Sequence, residues 1–296
     1  MKKMTDFLTY LLFRALVFFF RYIPFRLMYI FSDMVYLLFY YVTGYRKKIV
    51  FSNLRNSFPG KNPEEVRKIA KGFYHHLCDL LFESLKSFSM TEDQVISRYP
   101  YDDAEVMDRY YREGKNVIVI AGHYSNWEWT GIASGKQILH IPVGFYKPLS
   151  NRYVDEYMKK TRVQGRSMLA SIMDTSRTFT NQYPEPAAFY MVADQSPASP
   201  RLAYWVRFMN QDTPVLHGPE KYALLHNLPV IYTRGRKIFR GHYRLTFELV
   251  TDDPRSMRTG ELTEAFMQRL ESNILENPDL YLWSHRRWKL KREIRS

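Results

Sequence analysis

Apolar positions along the chain fall into two kinds of pattern. The first 45 residues carry two long apolar runs, residues 7–20 and 23–42, each broken only by isolated charges. Beyond residue 62, short β-branched runs alternate with segments whose apolar residues repeat at helical spacing. The first pattern is typical of membrane-associated helices, and the second indicates an α/β domain.

The two N-terminal runs predict a pair of helices that contact a membrane. The first run is shorter than the roughly 20 residues that a transmembrane helix needs, and Pro24 separates the two runs. Arg14 would be costly at a bilayer centre, so a helix lying in the interface or half of a re-entrant pair is favoured. Basic residues flank both ends of the segment, which places both flanks in the cytoplasm. A helical hairpin buried in a soluble core is the alternative, since it would tolerate Asp33 better.

The rest of the chain predicts one α/β domain. A helix opens at Asn62 and Pro63, with an N-cap residue followed by proline at the first helical position. Apolar runs that predict strands cover residues 116–121, 141–146, 187–193, 230–233 and 243–250, and helical patterns cover residues 151–162, 218–226 and 259–276. We expect a mixed, mostly parallel central sheet flanked by helices, with residues 1–45 as the membrane-associated segment and 46–296 as the catalytic domain.

Composition narrows the choice of partner. The net charge is +13 and 16% of the residues are aromatic, which favours a nucleic acid or an anionic membrane surface. The aromatic residues concentrate in the first 45, where a nucleic-acid-binding protein would have no reason to place them, so no nucleic-acid partner is expected. The single cysteine, Cys78, excludes a disulfide scaffold, and no metal site is evident.

The candidate chemistry follows the first predicted strand. Gly122 and His123 lie at its carboxyl end, where ligands bind in this architecture. Ser125 predicts the N-cap of a helix that begins at Asn126 and carries Glu128 in its first turn. A histidine can take the proton of an attacking hydroxyl, and a carboxylate on its other ring nitrogen would orient it. His123 and Glu128 could form such a dyad.

The same residues allow a second interpretation. Ser125 and Glu128 have the spacing of a capping box, in which the glutamate bonds the serine N–H and has no catalytic role. The spacing of His123 and Glu128 is also too weak to indicate a metal site. Spacing alone favours the capping box.

Four sequence blocks resemble one enzyme family, and this resemblance favours the catalytic dyad over the capping box. GHYSNWEW (residues 122–129) is similar to the His-x4-Asp/Glu block of the lysophospholipid acyltransferase superfamily, in its branch of bacterial lipid A late (lauroyl/myristoyl-type) acyltransferases. Further similar blocks, in the same order, are Ala193-Asp194-Gln195, then Thr213-Pro214 with Gly218, and YLWSHRRWK (residues 281–289). Asn53-Leu54-Arg55 also fits, and the resemblance covers residues 45–292.

The resemblance implies site residues. His123 would be the general base and Glu128 its orienting partner. Arg162 is the closest match to an essential arginine, with Arg166 as the alternative, and Asp194 matches an essential aspartate. Arg162, Arg286 and Arg287 would bind phosphate groups of the acceptor or of the carrier's prosthetic arm.

The resemblance also implies the activity. It is transfer of a fatty acyl chain from acyl-acyl carrier protein, or alternatively acyl-CoA, to a hydroxyl of a lipid A precursor. The reaction would need no cofactor and would occur at the cytoplasmic face of a bacterial inner membrane. The partners would be the carrier protein, the membrane lipid acceptor and the anionic membrane surface.

Two departures from the family pattern leave the acceptor open. The segment after Asp194 reads Gln195-Ser196-Pro197, without the family's second aspartate and glycine, and His217 precedes Gly218 in place of a small residue. An acyltransferase acting on another membrane lysolipid, an aminoacyl lipid or a lysophospholipid, is therefore an alternative. A non-catalytic membrane-binding protein, in which His123 and Glu128 only cap a helix, is another.

Overall fold

A computed structural model describes residues 2–163, 165–200 and 203–292, without the side chain of Arg162. The helices are α1 (Lys2–Tyr22), α2 (Phe25–Leu37), α3 (Lys47–Ser57), α4 (Pro63–Ser87), α5 (Glu92–Ile96), α6 (Glu105–Arg112), α7 (Trp127–Gln137), α8 (Arg152–Arg162), α9 (Thr175–Thr180), α10 (Gly218–His226) and α11 (Glu261–Glu276). The strands are β1 (Tyr101–Asp102), β2 (Val117–Ala121), β3 (Ile141–Tyr146), β4 (Met168–Ser171), β5 (Ala187–Val192), β6 (Ala203–Phe208), β7 (Gln211–Leu216), β8 (Val230–Phe239) and β9 (His242–Thr251).

A seven-stranded sheet forms the centre of the molecule. Its order is β1-β9-β8-β2-β5-β3-β4, and every neighbouring pair is parallel except β8 and β9, which form an antiparallel hairpin. Strands β6 and β7 form a separate antiparallel pair. The predicted fold class, a mixed and mostly parallel sheet flanked by helices, is confirmed.

Strand β2 lies at the middle of this sheet because both of its faces are apolar. Ile118 and Ile120 pack into the core formed with α4 and α11, whereas Val117 and Val119 pack into the core formed with α5, α6 and α7. A continuous apolar run is what a strand needs when it is covered on both sides. Helix α4, which contacts α2 on its outer side, begins with the predicted N-cap: Asn62 and Glu65 form a capping box.

The N-terminal helices pack on α4 and leave most of their apolar surface exposed. Among the described residues, more than half of the exposed large apolar side chains lie between Met4 and Tyr45. A hairpin buried in the core is therefore not what the structure shows. The segment Phe25–Val42, which is α2 with a π-helical continuation, is long and apolar enough to cross a membrane. The predicted division into two parts at residue 45 stays a prediction.

Asp33, the carboxylate in this apolar segment, has a partner from the sheet. Arg240, at the turn of the β8–β9 hairpin, lies 2.6 Å from both Asp33 of α2 and Asp79 of α4. Ser32 of α2 also donates to Asp79, at 2.8 Å. The ion pairs of Arg240 with these two carboxylates therefore hold α2 against the rest of the protein.

Candidate active site

The site begins where β2 leaves the sheet. A Cβ atom on Gly122 would lie 2.7 Å from Leu270 of α11, so only glycine lets the chain pass this close to the helix. The next residue, His123, follows on the loop at the carboxyl end of the strand, as predicted. Its carbonyl accepts from Leu282 N at 3.2 Å, which fixes the backbone of the loop to the C-terminal segment.

Ser125 turns the loop. Its φ is +58°, in the left-handed region that non-glycine residues rarely adopt. Three contacts hold it there: its N–H donates to Leu280 O at 3.1 Å, its carbonyl lies 3.2 Å from His76 Nε2, and its Cβ packs over Gly235 of β8. A strained residue that is held this firmly is typical of functional sites.

Asn126, rather than Ser125, caps α7. The Asn126 side chain accepts from Trp129 N at 3.1 Å, and the helix begins at Trp127. The predicted N-cap at Ser125 is wrong, because its left-handed backbone turns the chain before the helix starts. The capping box between Ser125 and Glu128 is wrong for the same reason.

A buried carboxylate holds the cap in place. Glu83 of α4 is fully buried and accepts from Asn126 Nδ2, Tyr29 OH and Tyr243 OH, each at 2.8 Å. Burial raises the pKa of Glu83 to about 7, against the opposing effect of the two tyrosine hydrogen bonds. Glu83 therefore joins α2, β9 and the start of α7, and the sequence offered no signal for it.

His123 meets Asp194 across the ends of two adjacent strands. Ala121 of β2 pairs with Val192 of β5, and each of the two side chains follows its strand by two residues. His123 Nδ1 lies 2.6 Å from Asp194 Oδ1. Asp194 is buried, and His123 retains access to the adjoining cavity with its side chain 18% exposed.

Asp194 is the charged member of this pair. Burial alone would lower the pKa of His123, but the charge and hydrogen bond of Asp194, with a contribution from Glu128, outweigh it and raise that pKa. Burial opposes ionisation of Asp194, but His123 and the nearby Arg287 outweigh it and lower the pKa of this carboxyl. Asp194 thus stays a carboxylate and fixes a proton on Nδ1.

The other ring nitrogen faces Gln195. Its side-chain amide nitrogen lies 3.0 Å from His123 Nε2. With Nδ1 protonated against Asp194, Nε2 carries a lone pair and accepts from this amide. That is the protonation state of a general base at rest.

Glu128 lies beside this pair in the same cavity. The carboxylate on Nδ1 is Asp194, and Glu128 acts on His123 through its charge. Glu128 lies in the first turn of α7, five residues along the chain from His123, and the left-handed turn at Ser125 separates the two. The role of Glu128 as the orienting partner, which the resemblance implied, stays a prediction, and Glu128 lies in the site.

A cavity of about 900 Å³ opens from His123 between the strand ends and the surrounding helices. Its walls are mainly apolar, and the polar residues that line it include His123, Glu128 and Gln195. The apolar lining includes Ile132, Phe145, Met158, Leu169, Met191 and Tyr222. The cavity combines a mainly apolar lining with direct access to His123, as a long-chain substrate requires.

The C-terminal segment, residues 281–289, packs against the site and is held there by hydrogen bonds to α3 and β7. Asn53 of α3 donates to the carbonyls of Trp283 and His285 at 2.9 and 3.0 Å. Arg287 donates to Pro214 O at 2.5 Å, and Trp288 Nε1 donates to Thr213 Oγ1 at 2.7 Å. These contacts bring together three of the blocks on which the resemblance rests.

The predicted phosphate-binding arginines occupy different surroundings. Arg287 is 1% exposed, so its guanidinium lies too deep for a surface phosphate and instead acts on Asp194 through its charge. Burial lowers the pKa of Arg287, which Tyr281 and Asp194 partly offset. Arg286 is exposed. The Arg162 side chain lies outside the described part of the structure, and Arg166 pairs with Glu185 and is not among the residues that line the cavity.

Comparison with known proteins identifies the chain's relatives. A family model described as bacterial lipid A biosynthesis acyltransferase matches residues 1–290. The chain is 21% identical over 249 residues to the lipid A biosynthesis palmitoleoyltransferase of Escherichia coli K12, covering 83% of this chain and 79% of that protein. It is similar to the same extent to a lipid A biosynthesis acyltransferase of Shigella flexneri.

The family match covers nearly the whole chain and agrees with the geometry of the site. The predicted resemblance is confirmed, as is the prediction of an O-acyltransferase. Enzymes of this kind are membrane-associated and transfer acyl chains in lipid A biosynthesis. This chain belongs to the bacterial lipid A biosynthesis acyltransferase family.

Proposed function

We propose that the protein transfers a fatty acyl chain from acyl-acyl carrier protein to a hydroxyl of a lipid A precursor, with His123 as general base. The observation that carries the proposal is the His123–Asp194 pair, 2.6 Å apart, with His123 lining a mainly apolar 900 Å³ cavity. The name of the Escherichia coli relative supports the acceptor class, and the coarser activity follows from the family.

The first step is attack of the acceptor hydroxyl on the thioester carbonyl. The hydroxyl takes the place of the Gln195 amide beside His123 Nε2 and passes its proton to that nitrogen as the new C–O bond forms. The imidazolium that results is stabilised by Asp194 on Nδ1. Collapse of the tetrahedral intermediate breaks the C–S bond, and the imidazolium returns its proton to the leaving thiolate.

The oxyanion of the intermediate forms next to the start of α7. Backbone N–H groups in the first turn of a helix favour negative charge, and α7 begins at Trp127, four residues after His123. We assign Glu128, in the same turn, an electrostatic part in stabilising protonated His123 during the transfer. No covalent acyl-enzyme is needed.

The substrates approach from two environments. The acyl chain occupies the apolar cavity, and the acidic carrier protein binds the +13 surface. The acceptor reaches His123 from the cytoplasmic leaflet of the bacterial inner membrane, where α1 and α2 anchor the protein. Arg286, which is exposed, contributes to binding of phosphate groups.

Mass spectrometry of the reaction tests the proposal. The purified enzyme is incubated with acyl carrier proteins bearing chains of different length, or with the matching acyl-CoA, and a tetra-acylated lipid A precursor. We expect a mass gain of one acyl chain. His123→Ala and Glu128→Ala should reduce the rate, the former by roughly a hundredfold or more, whereas His242→Ala, on the β8–β9 hairpin, serves as the matched histidine control.

The outcomes separate the alternatives. A mass gain on a lysophospholipid or aminoacyl lipid, and none on the lipid A precursor, would reassign the acceptor and leave the dyad intact. Full turnover by a folded His123→Ala protein would overturn the mechanism. Preference for acyl-CoA over the carrier protein would change only the donor.

A further inference from the structure

The mouth of the cavity carries an apolar surface that the proposed chemistry does not use. Leu149, which precedes α8, and Met168, Ile172 and Met173, which belong to β4 and the turn after it, line the cavity and point outward. We call these four residues the lip. Leu149, Met168 and Ile172 are each 45% exposed and Met173 is 82% exposed. Such a cluster on a protein surface marks an interaction site.

The lip is continuous with the exposed face of α1. Tyr153 of α8, itself 40% exposed, packs its ring against Phe7 at 5.5 Å and against Tyr10 at 5.9 Å. Asn151, two residues after Leu149, donates from its side chain to the carbonyl of Asp6 at 2.8 Å. The apolar surface therefore runs from α1 across the start of α8 to the mouth of the cavity.

In the part of the chain that the structure describes, three basic residues and two acidic ones, Asp155 and Asp174, line the cavity beside the lip, so the charge there is positive on balance. Lys147 and Arg177 line the same mouth and are exposed. Lys159 lines it as well, and its ammonium lies 2.8 Å from Asp155 of the same helix. Apolar side chains with basic residues at their edge suit the boundary between acyl chains and anionic headgroups.

We infer that the lip inserts into the same anionic bilayer as α1 and α2, so that the cavity opens directly into the lipid phase. Three features support this occupant over a soluble protein: continuity with α1, the basic residues at the edge, and the membrane association of the family. A lipid acceptor would then reach His123 without leaving the bilayer. The inference rests on the proposed function for its biological meaning, but its test does not depend on turnover.

Site-specific fluorescence measures the insertion. The native thiol, Cys78, is fully buried, so an environment-sensitive label attaches to an introduced cysteine in the full chain. Met173→Cys and Leu149→Cys place the label on the lip, and Phe18→Cys places it on α1. Leu275→Cys is the matched control, an apolar residue of α11 that is 56% exposed.

The labelled proteins are mixed with phosphatidylethanolamine–phosphatidylglycerol vesicles, with or without nitroxide lipids, and with iodide as the aqueous quencher. We expect lip labels to be quenched by nitroxide lipids and shielded from iodide, as at position 18, and the label at position 275 to behave oppositely. Lip labels that behave like position 275 would overturn the inference. Shielding from iodide before vesicles are added would also overturn it, since a second copy of the chain would then cover the lip. Neither result would contradict the proposed acyl transfer, because the labelling experiment does not measure turnover.

Discussion

His123 Nδ1 and Asp194 Oδ1 lie 2.6 Å apart although 71 residues separate them along the chain. The contact depends on the in-register pairing of Ala121 with Val192, which brings the ends of β2 and β5 to the same height. The sheet therefore brings the two residues to the same edge, and the loops that follow the two strands complete the geometry of the pair.

The pH dependence of the reaction should report the His123–Asp194 pair. The base is active when Nε2 is unprotonated, so kcat/KM should rise with pH through the pKa of His123, which Asp194 holds above its ordinary value of 6.5. In Asp194→Asn the charge is lost, and the rising limb should move to lower pH while the maximal rate falls by about 10²–10⁴. Initial rates with one acyl donor across pH 5–9 measure both effects.

Glu128→Gln is the comparison for that experiment. It removes the more weakly acting carboxylate, so we expect a smaller downward shift of the limb than in Asp194→Asn. A larger shift in Glu128→Gln would make Glu128 the orienting carboxylate, as the family resemblance implied.

Glu83 should give the fold a distinct dependence on pH. Burial raises its pKa from 4.5 to about 7, so the folded protein holds a proton that the unfolded chain releases. The associated stability is fully present below about pH 4.5 and is lost as the pH rises through 7. Its size is on the order of 3 kcal/mol. In Glu83→Gln, the thermal midpoint should change less over this interval than in the wild type.

Calorimetry in detergent, repeated at several pH values, measures those midpoints. Glu156→Gln, at the surface of α8, controls for the loss of one carboxylate. If Glu83→Gln and the wild type gave parallel curves, the shifted titration of Glu83 would be disproved.

Gly235→Ala should displace the loop that carries His123, because Gly235 of β8 packs against Ser125 in that loop. The new Cβ would lie 2.9 Å from Ser125 Cβ, closer than side chains pack, so Ser125 must move and take the His123 loop with it. We expect reduced kcat and a stability loss of about 1–3 kcal/mol. Gly60→Ala, where a Cβ would meet nothing within 4 Å, is the control.

A second substitution makes the cause explicit. Ser125→Gly removes the obstructing Cβ and suits the left-handed backbone at φ +58°, so it should restore activity to Gly235→Ala. No recovery in the double variant would place the damage elsewhere on β8.

Local patterns predicted most of the elements and one half of the site. The apolar run of β2 predicted a buried strand, and Asn62 predicted the start of α4. Each signal depends only on residues that are neighbours in the sequence. The His123–Asp194 contact depends instead on strand order, which places β5 beside β2. Asp194 was identified by resemblance, but its partner could not be found without the order of the sheet.

The missed features have a common physical reason. Arg287 and Glu83 are buried because elements distant in sequence pack over them. From sequence alone, a charged residue is expected to be exposed. The left-handed turn at Ser125 depends on its contacts with Leu280, His76 and Gly235. Serine before a helix otherwise favours an N-cap, which explains the wrong prediction.

Lys86 gives the N-terminal helices a role beyond attachment. Its ammonium, on a side chain of α4 that is 8% exposed, donates to the carbonyls of Phe20, Arg21 and Ile23 at 2.7–2.8 Å and so closes the end of α1. A chain that began at residue 46 would leave this cation without acceptors. In the proposed membrane placement, the first two helices therefore hold the cavity at one height and tilt relative to the lipid, and their removal would damage the enzyme instead of yielding a soluble active form.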